Sequence, residues 1–93
     1  MSKMNEIREI KKTLTLSQCR LKEAPGYDVY ASIVAQLDYL LAVLDGSEKD
    51  RSKLKEIIIG HYAVRELGES DPELAQALRA AQIIANDAVK ADR

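Results

Sequence analysis

Asp28-Val-Tyr-Ala-Ser-Ile-Val-Ala-Gln-Leu-Asp-Tyr-Leu-Leu-Ala-Val-Leu-Asp45 is the stretch that decides the fold. Its apolar residues Val29, Tyr30, Ile33, Val34, Leu37, Leu40, Leu41 and Leu44 recur at intervals of three and four. Wound into a helix they form a stripe wide enough to touch two neighbours, which makes this the central helix of a bundle. Pro25-Gly26 precedes it: proline disfavours a helical conformation at Ala24, glycine permits a turn, and the chain restarts near Tyr27. Gly46-Ser47 closes it.

The same periodicity extends both ways. Upstream, Ile7, Ile10, Leu14, Leu21 and Ala24 keep an a/d-like spacing while most charges fall on other faces. Downstream, Asp50 is placed to cap a third helix carrying Leu54, Ile57, Ile58, His61, Val64 and Leu67 along one side, with Gly68 at its end. A fourth helix starts at Ser70-Asp71-Pro72-Glu73. There either Ser70 and Glu73 form a capping box, or Asp71 caps with Pro72 in the first helical position. Its face of Leu74, Ala77, Leu78, Ala81, Ile84, Ala85 and Ala88 is narrow and small, which lets axes approach closely. Helices of roughly 20 residues would be about 30 Å long, and short connections favour antiparallel neighbours. The expected fold is all-α: a small antiparallel bundle of about four helices, forming a single domain over residues 1–93.

Composition narrows function. With 14 Lys plus Arg against 15 Asp plus Glu, the chain has no basic footprint for phosphate neutralisation, so a nucleic-acid partner is not expected. The longest uncharged stretch is Val29 to Leu37, far short of the about 20 apolar residues of a membrane span. The N-terminal residues run into alternating charges rather than an apolar export signal. The expected compartment is the cytoplasm, in keeping with one cysteine, Cys19, which excludes an intramolecular disulfide.

No phosphate loop, Cys-x-x-Cys or His-Glu-x-x-His is present, and one histidine cannot build a multi-histidine metal site. Neither catalytic, cofactor-binding nor metal residues are therefore assigned. His61 is expected to pack or to sit in an interface, and Cys19 to be a semi-buried small hydrophobe. Charge is segregated: residues 25–48 hold four acids and no base, and residues 1–24 six bases and three acids. The densest block is Glu66, Glu69, Asp71 and Glu73 around the turn between helices three and four. Asp71 and Glu73 suit a helix N-terminus, but Glu66 and Glu69 near the end of helix three gain nothing from that dipole. A patch that docks a basic partner accounts for them, as does a solvated surface. All four aromatics are tyrosines, a residue type suited to interfaces. Tyr30 is expected at the core rim. Tyr27, Asp28, Tyr62, Glu66, Glu69, Asp71 and Glu73 are the candidate partner-binding residues. Gly60, inside an apolar helix, marks a close approach by a neighbour.

Pro25-Gly26-Tyr27-Asp28-Val29, Gln36-Leu37-Asp38-Tyr39, Asp50-Arg51-Ser52-Lys53-Leu54, Gly60 with Ala63-Val64, and Asp71-Pro72-Glu73-Leu74 with Ala77-Leu78, in this order and spacing, resemble a family of small helical immunity proteins. These accompany bacterial type VI secretion effectors whose toxin domain hydrolyses NAD(P)+. The resemblance covers Pro25 to Arg79 and weakens towards both ends. It implies an antitoxin without enzymatic activity or cofactor, which binds the toxin domain of a cognate effector and blocks its NAD(P)+ cleft, protecting producer and sibling cells in interbacterial competition. Glu69, Asp71 or Glu73 would then enter an electropositive mouth, and Asp71→Lys with Glu69→Lys would weaken binding with little change in melting. Two alternatives differ in what a bound partner loses: a helical adaptor or chaperone leaves its activity intact, and immunity against another toxin chemistry spares NAD(P)+. A homodimer through the alanine-rich fourth helix stays open.

Overall fold

Helix formation follows the apolar spacing in three of the four segments and is interrupted in the third. The computed structural model describes residues 3–91, as α1 (Lys3–Glu23), α2 (Asp28–Asp45), a single 3-10 turn (Leu54–Glu56), α3 (Ile59–Arg65) and α4 (Pro72–Ala91). No strand occurs among the described residues. The chain alternates in direction. Arg20 near the end of α1 meets Asp71 at the start of α4, and Tyr27 before α2 meets Glu66 after α3. Tyr39, towards the other end of α2, holds the following loop: its Oη–H donates to the Asp50 carbonyl (2.7 Å) and accepts the Lys53 N–H (3.2 Å). The result is the expected all-α antiparallel bundle, with its third member broken.

α2 ends on Gly46, whose φ of +89° lies in the left-handed region and whose N–H donates to the Val43 carbonyl. Of its stripe, Ile33, Leu37, Leu40 and Leu44 are buried, together with Val43. Val29, Tyr30, Val34 and Leu41 are partly buried against the same core. α1 contributes Ile10 and Leu14, and two hydroxyls, Thr13 and Ser17, are buried beside them. Each donates to the carbonyl four residues earlier, Thr13 Oγ1 to Glu9 (3.0 Å) and Ser17 Oγ to Thr13 (2.8 Å), so burial leaves neither unpaired. α4 buries Leu74, Leu78, Ala81, Ile84 and Ala85 as its small face predicts, and Ala75 as well.

The third helix does not start at Asp50. Asp50 Oδ1 instead accepts the Ser52 N–H (3.0 Å) in a local turn, and a 3-10 turn follows. Ile57 is extended (φ −73°, ψ 119°), so helical hydrogen bonding stops there and resumes two residues later. Two glutamines occupy the gap. Gln36 Oε1 of α2 accepts the Ile58 N–H (2.8 Å). Gln82 of α4 accepts the Gly60 N–H on Oε1 (3.0 Å) and donates from Nε2 to the Ile57 carbonyl (2.9 Å). These bonds satisfy backbone groups that the break exposes.

The interruption also turns the segment. Ile57, Ile59, Ala63 and Leu67 are buried, whereas Ile58 and Val64, expected on the core side, are 44% and 66% exposed. His61 is exposed with them, and Cys19 on α1 is exposed rather than semi-buried. Gly60 behaves as anticipated. A Cβ there would lie 3.0 Å from Gln82 Cγ and 3.2 Å from Gln82 Cβ, so α4 approaches at the one position without a side chain.

Replacing Gln82 by alanine strands the Gly60 N–H and the Ile57 carbonyl, and is expected to lower unfolding free energy by about 1–2 kcal/mol, measured by chemical denaturation. The matching loss of protection at the Gly60 amide should be visible by hydrogen exchange.

Candidate functional site

The candidate partner-binding residues collect at one end of the bundle, where α1 ends, α2 begins and α3 turns into α4. Arg20 organises this end. Its Nε donates to Asp71 Oδ2 (2.7 Å), and Nη2 reaches Asp71 Oδ1 (3.5 Å) and Glu73 Oε1 (3.1 Å). Asp71 Oδ1 also accepts the Leu74 N–H (3.3 Å). Asp71 is thus the N-cap of α4 with Pro72 in the first helical position, which selects the second of the two starts anticipated above. The Arg20 guanidinium holds the Asp71 carboxyl below the usual carboxylate range, and Asp71 in turn raises Arg20.

Glu66 accepts a hydrogen bond from Tyr27 Oη (3.3 Å). Partial desolvation of this exposed tyrosine, followed by the Glu66 charge, raises the phenol above its ordinary value. Tyr27 stands edge-on to Tyr30, with ring centroids 5.0 Å apart and planes at 89°. Tyr62 is half-buried, and its hydroxyl pairs with that of Ser32 (3.0 Å), which also accepts from Gln36 Nε2 (3.1 Å). Tyr62 therefore braces α3 on α2. Asp28 and Glu69 are exposed, in the first turn of α2 and in the α3–α4 connection.

The acidic block is in this way partly a structural joint. Asp71 ties α1 to α4 while capping α4, so Asp71→Lys combined with Glu69→Lys is expected to lower melting as well as alter the surface. Arg20, which supplies the countercharge, was not among the candidates. Its only sequence signal is a basic residue near the end of α1, where helix electrostatics account for it equally well.

A second feature lies alongside. Between α3 and α4 runs an open groove of about 610 Å³, with Ile58, His61 and Val64 on one side and Gln82 and Asn86 on the other. Arg65 also lines it, and no carboxylate does. Among the described residues, no cluster of His, Cys, Asp and Glu has the grouping of a metal site. No helix is long and apolar enough to cross a membrane.

The described residues thus form a small helical bundle with an ion-paired polar end and a shallow apolar groove. Comparison with known proteins makes the assignment specific. The Tsi6 family model matches residues 5–87, a wider span than the motifs between Pro25 and Arg79, and the chain belongs to the Tsi6 family. It is 41% identical over 81 residues to "Immune protein Tsi6" of Pseudomonas aeruginosa, covering 87% of this chain and 86% of that one. Its fold superposes on a chain of the structure of Tse6 in complex with Tsi6 with a TM-score of 0.87, at 37% identity over 92% of both chains. A structure of Tsi6 from Pseudomonas aeruginosa matches with a TM-score of 0.81, at 40% identity over 86% of this chain and 83% of the other.

Asp71→Asn keeps a capping oxygen but gives up the ion pair, at a cost of up to about 1 kcal/mol. Asp71→Ala also loses the cap, for a total of about 1–2 kcal/mol. Because the folded Asp71 carboxyl titrates below its unfolded value of about 3.9, its contribution is present above that pH and fades as pH falls through the depressed folded value. Thermal melts from pH 7 to pH 2 should show a shallower acid decline for Asp71→Asn than for the wild type.

Proposed function

We propose that this chain is an immunity protein for a type VI secretion effector. It binds the effector's toxin domain in the cytoplasm of the producing cell and its siblings and blocks the NAD(P)+ cleft, without catalysis of its own. One observation carries the reading: over 92% of both chains the fold matches a chain of a complex between Tsi6 and the protein Tse6. The chemistry of the toxin rests on the motif resemblance, from Pro25-Gly26-Tyr27 to Asp71-Pro72-Glu73-Leu74.

The surface suits this role. Arg20 ties the end of α1 to the start of α4, and the Tyr27–Glu66 bond ties the start of α2 to the end of α3, so Asp28, Glu66, Glu69 and Glu73 are offered on a frame that loses little conformational entropy on binding. An electropositive cleft, as expected of a site that holds a pyrophosphate, would meet an acidic surface, and complementary fields accelerate encounter. Glu69 and Asp28, both exposed, are better placed to reach a partner than Asp71, which is engaged by Arg20.

Expression of the cognate toxin domain, sought among the products of the flanking genes, in a surrogate bacterium is expected to arrest growth and deplete NAD(P)+. Co-expression of the chain should restore both. Growth rescued with NAD(P)+ unchanged throughout would retain immunity and reject the chemistry, and a toxin unaffected by the chain would reject the proposal.

A further inference from the structure

The break at Ile57 has a second effect besides shortening the helix. By rotating α3, it puts the β-branched side chains of Ile58 and Val64 at 44% and 66% exposure, at the edges of the α3–α4 groove. Exposed apolar residues are common singly, but here two flank one concavity. Its shape is fixed from within: Gln82 bonds both Gly60 and Ile57 across the groove and also donates to Asn86 Oδ1 (3.1 Å). A concavity that needs no ordering on binding is suited to receive an anchoring side chain.

Charge defines the occupant. Arg65 is the one lining residue with a formal charge and has no ion-pair partner among the described residues. The carboxylates of this end lie beyond it, with Glu66 held by Tyr27 and both Asp71 and Glu73 by Arg20. We infer that the α3–α4 groove is a docking site for the effector's toxin domain, taking an apolar side chain between Ile58 and Val64 with a neighbouring carboxylate paired to Arg65. This rests on the immunity reading and adds an apolar anchor to its acidic surface. The anchor supplies a desolvated centre depleted in charge, and the acidic end supplies the polar rim, the arrangement that stable interfaces adopt.

The test uses the full chain and the purified toxin domain, with dissociation constants from calorimetry and folding checked by circular dichroism. Val64→Asp is expected to weaken binding at least about a hundredfold and Arg65→Glu at least about tenfold, as truncation or reversal of interface anchors does. Lys12→Glu on α1, outside the groove, should bind like the wild type. Both groove positions are exposed, so melting should hold, and Val64→Ser offers a milder variant with a smaller loss in the same direction. A wild-type chain that fails to bind the toxin domain overturns the immunity reading and this inference with it. Wild-type binding that Val64→Asp and Arg65→Glu leave intact overturns the groove alone. So does a homodimer of the free chain that Val64→Asp dissociates while toxin binding persists.

Discussion

Gln82 holds the third helical segment open at the one place where the bundle departs from four plain helices. Its carboxamide accepts the Gly60 N–H and donates to the Ile57 carbonyl, while Gln36 of α2 takes the Ile58 N–H from the other side. A continuous helix through Ile57 would bond these groups internally, and the two glutamines would have to find other partners. Gly60 completes the arrangement, because a side chain there would crowd Gln82 and force it to shift. The rest of the structure adapts to this break. Ile59, Ala63 and Leu67 turn inward to close the core, Ile58 and Val64 turn outward, and α3 is left only seven residues long.

So short a helix has little stability of its own and depends on tertiary contacts. At its far end, Tyr62 bonds Ser32 of α2, and Glu66 receives the Tyr27 hydroxyl. The Arg20–Asp71 pair then fixes the start of α4 against α1. The two polar joints divide the work: the glutamines set the rotation of α3, and the ion pair sets where the next helix begins. A protein that must meet one partner tightly benefits from such fixed surfaces, since ordering costs are met on folding rather than on binding.

Much of this was legible in the residues. The wide stripe of α2, the Pro25-Gly26 turn and the significance of Gly60 each follow from local chemistry with a single strong outcome, and the start of α4 was narrowed to two neighbouring caps. The third segment was not, because three consecutive isoleucines, Ile57 to Ile59, support two helical rows about 100° apart. One row runs through Ile58, His61 and Val64, the other through Ile59, Ala63 and Leu67. Which row is buried depends on glutamines 22 residues away in either direction, a tertiary fact without local periodicity. The acidic block shows the same limit in electrostatic form. Its density is plain in the sequence, but its division into the neutralised Asp71 and the exposed Glu69 and Asp28 depends on Arg20, 51 residues before Asp71.

Stoichiometric inhibition is the central claim, and a titration of toxin activity tests it most directly. With the toxin domain held well above the dissociation constant, NAD(P)+ hydrolysis should fall linearly with added chain and vanish at one chain per toxin. Full activity beyond that ratio would contradict inhibition. Complete loss at a small fraction of it would point to catalytic inactivation in place of a bound inhibitor.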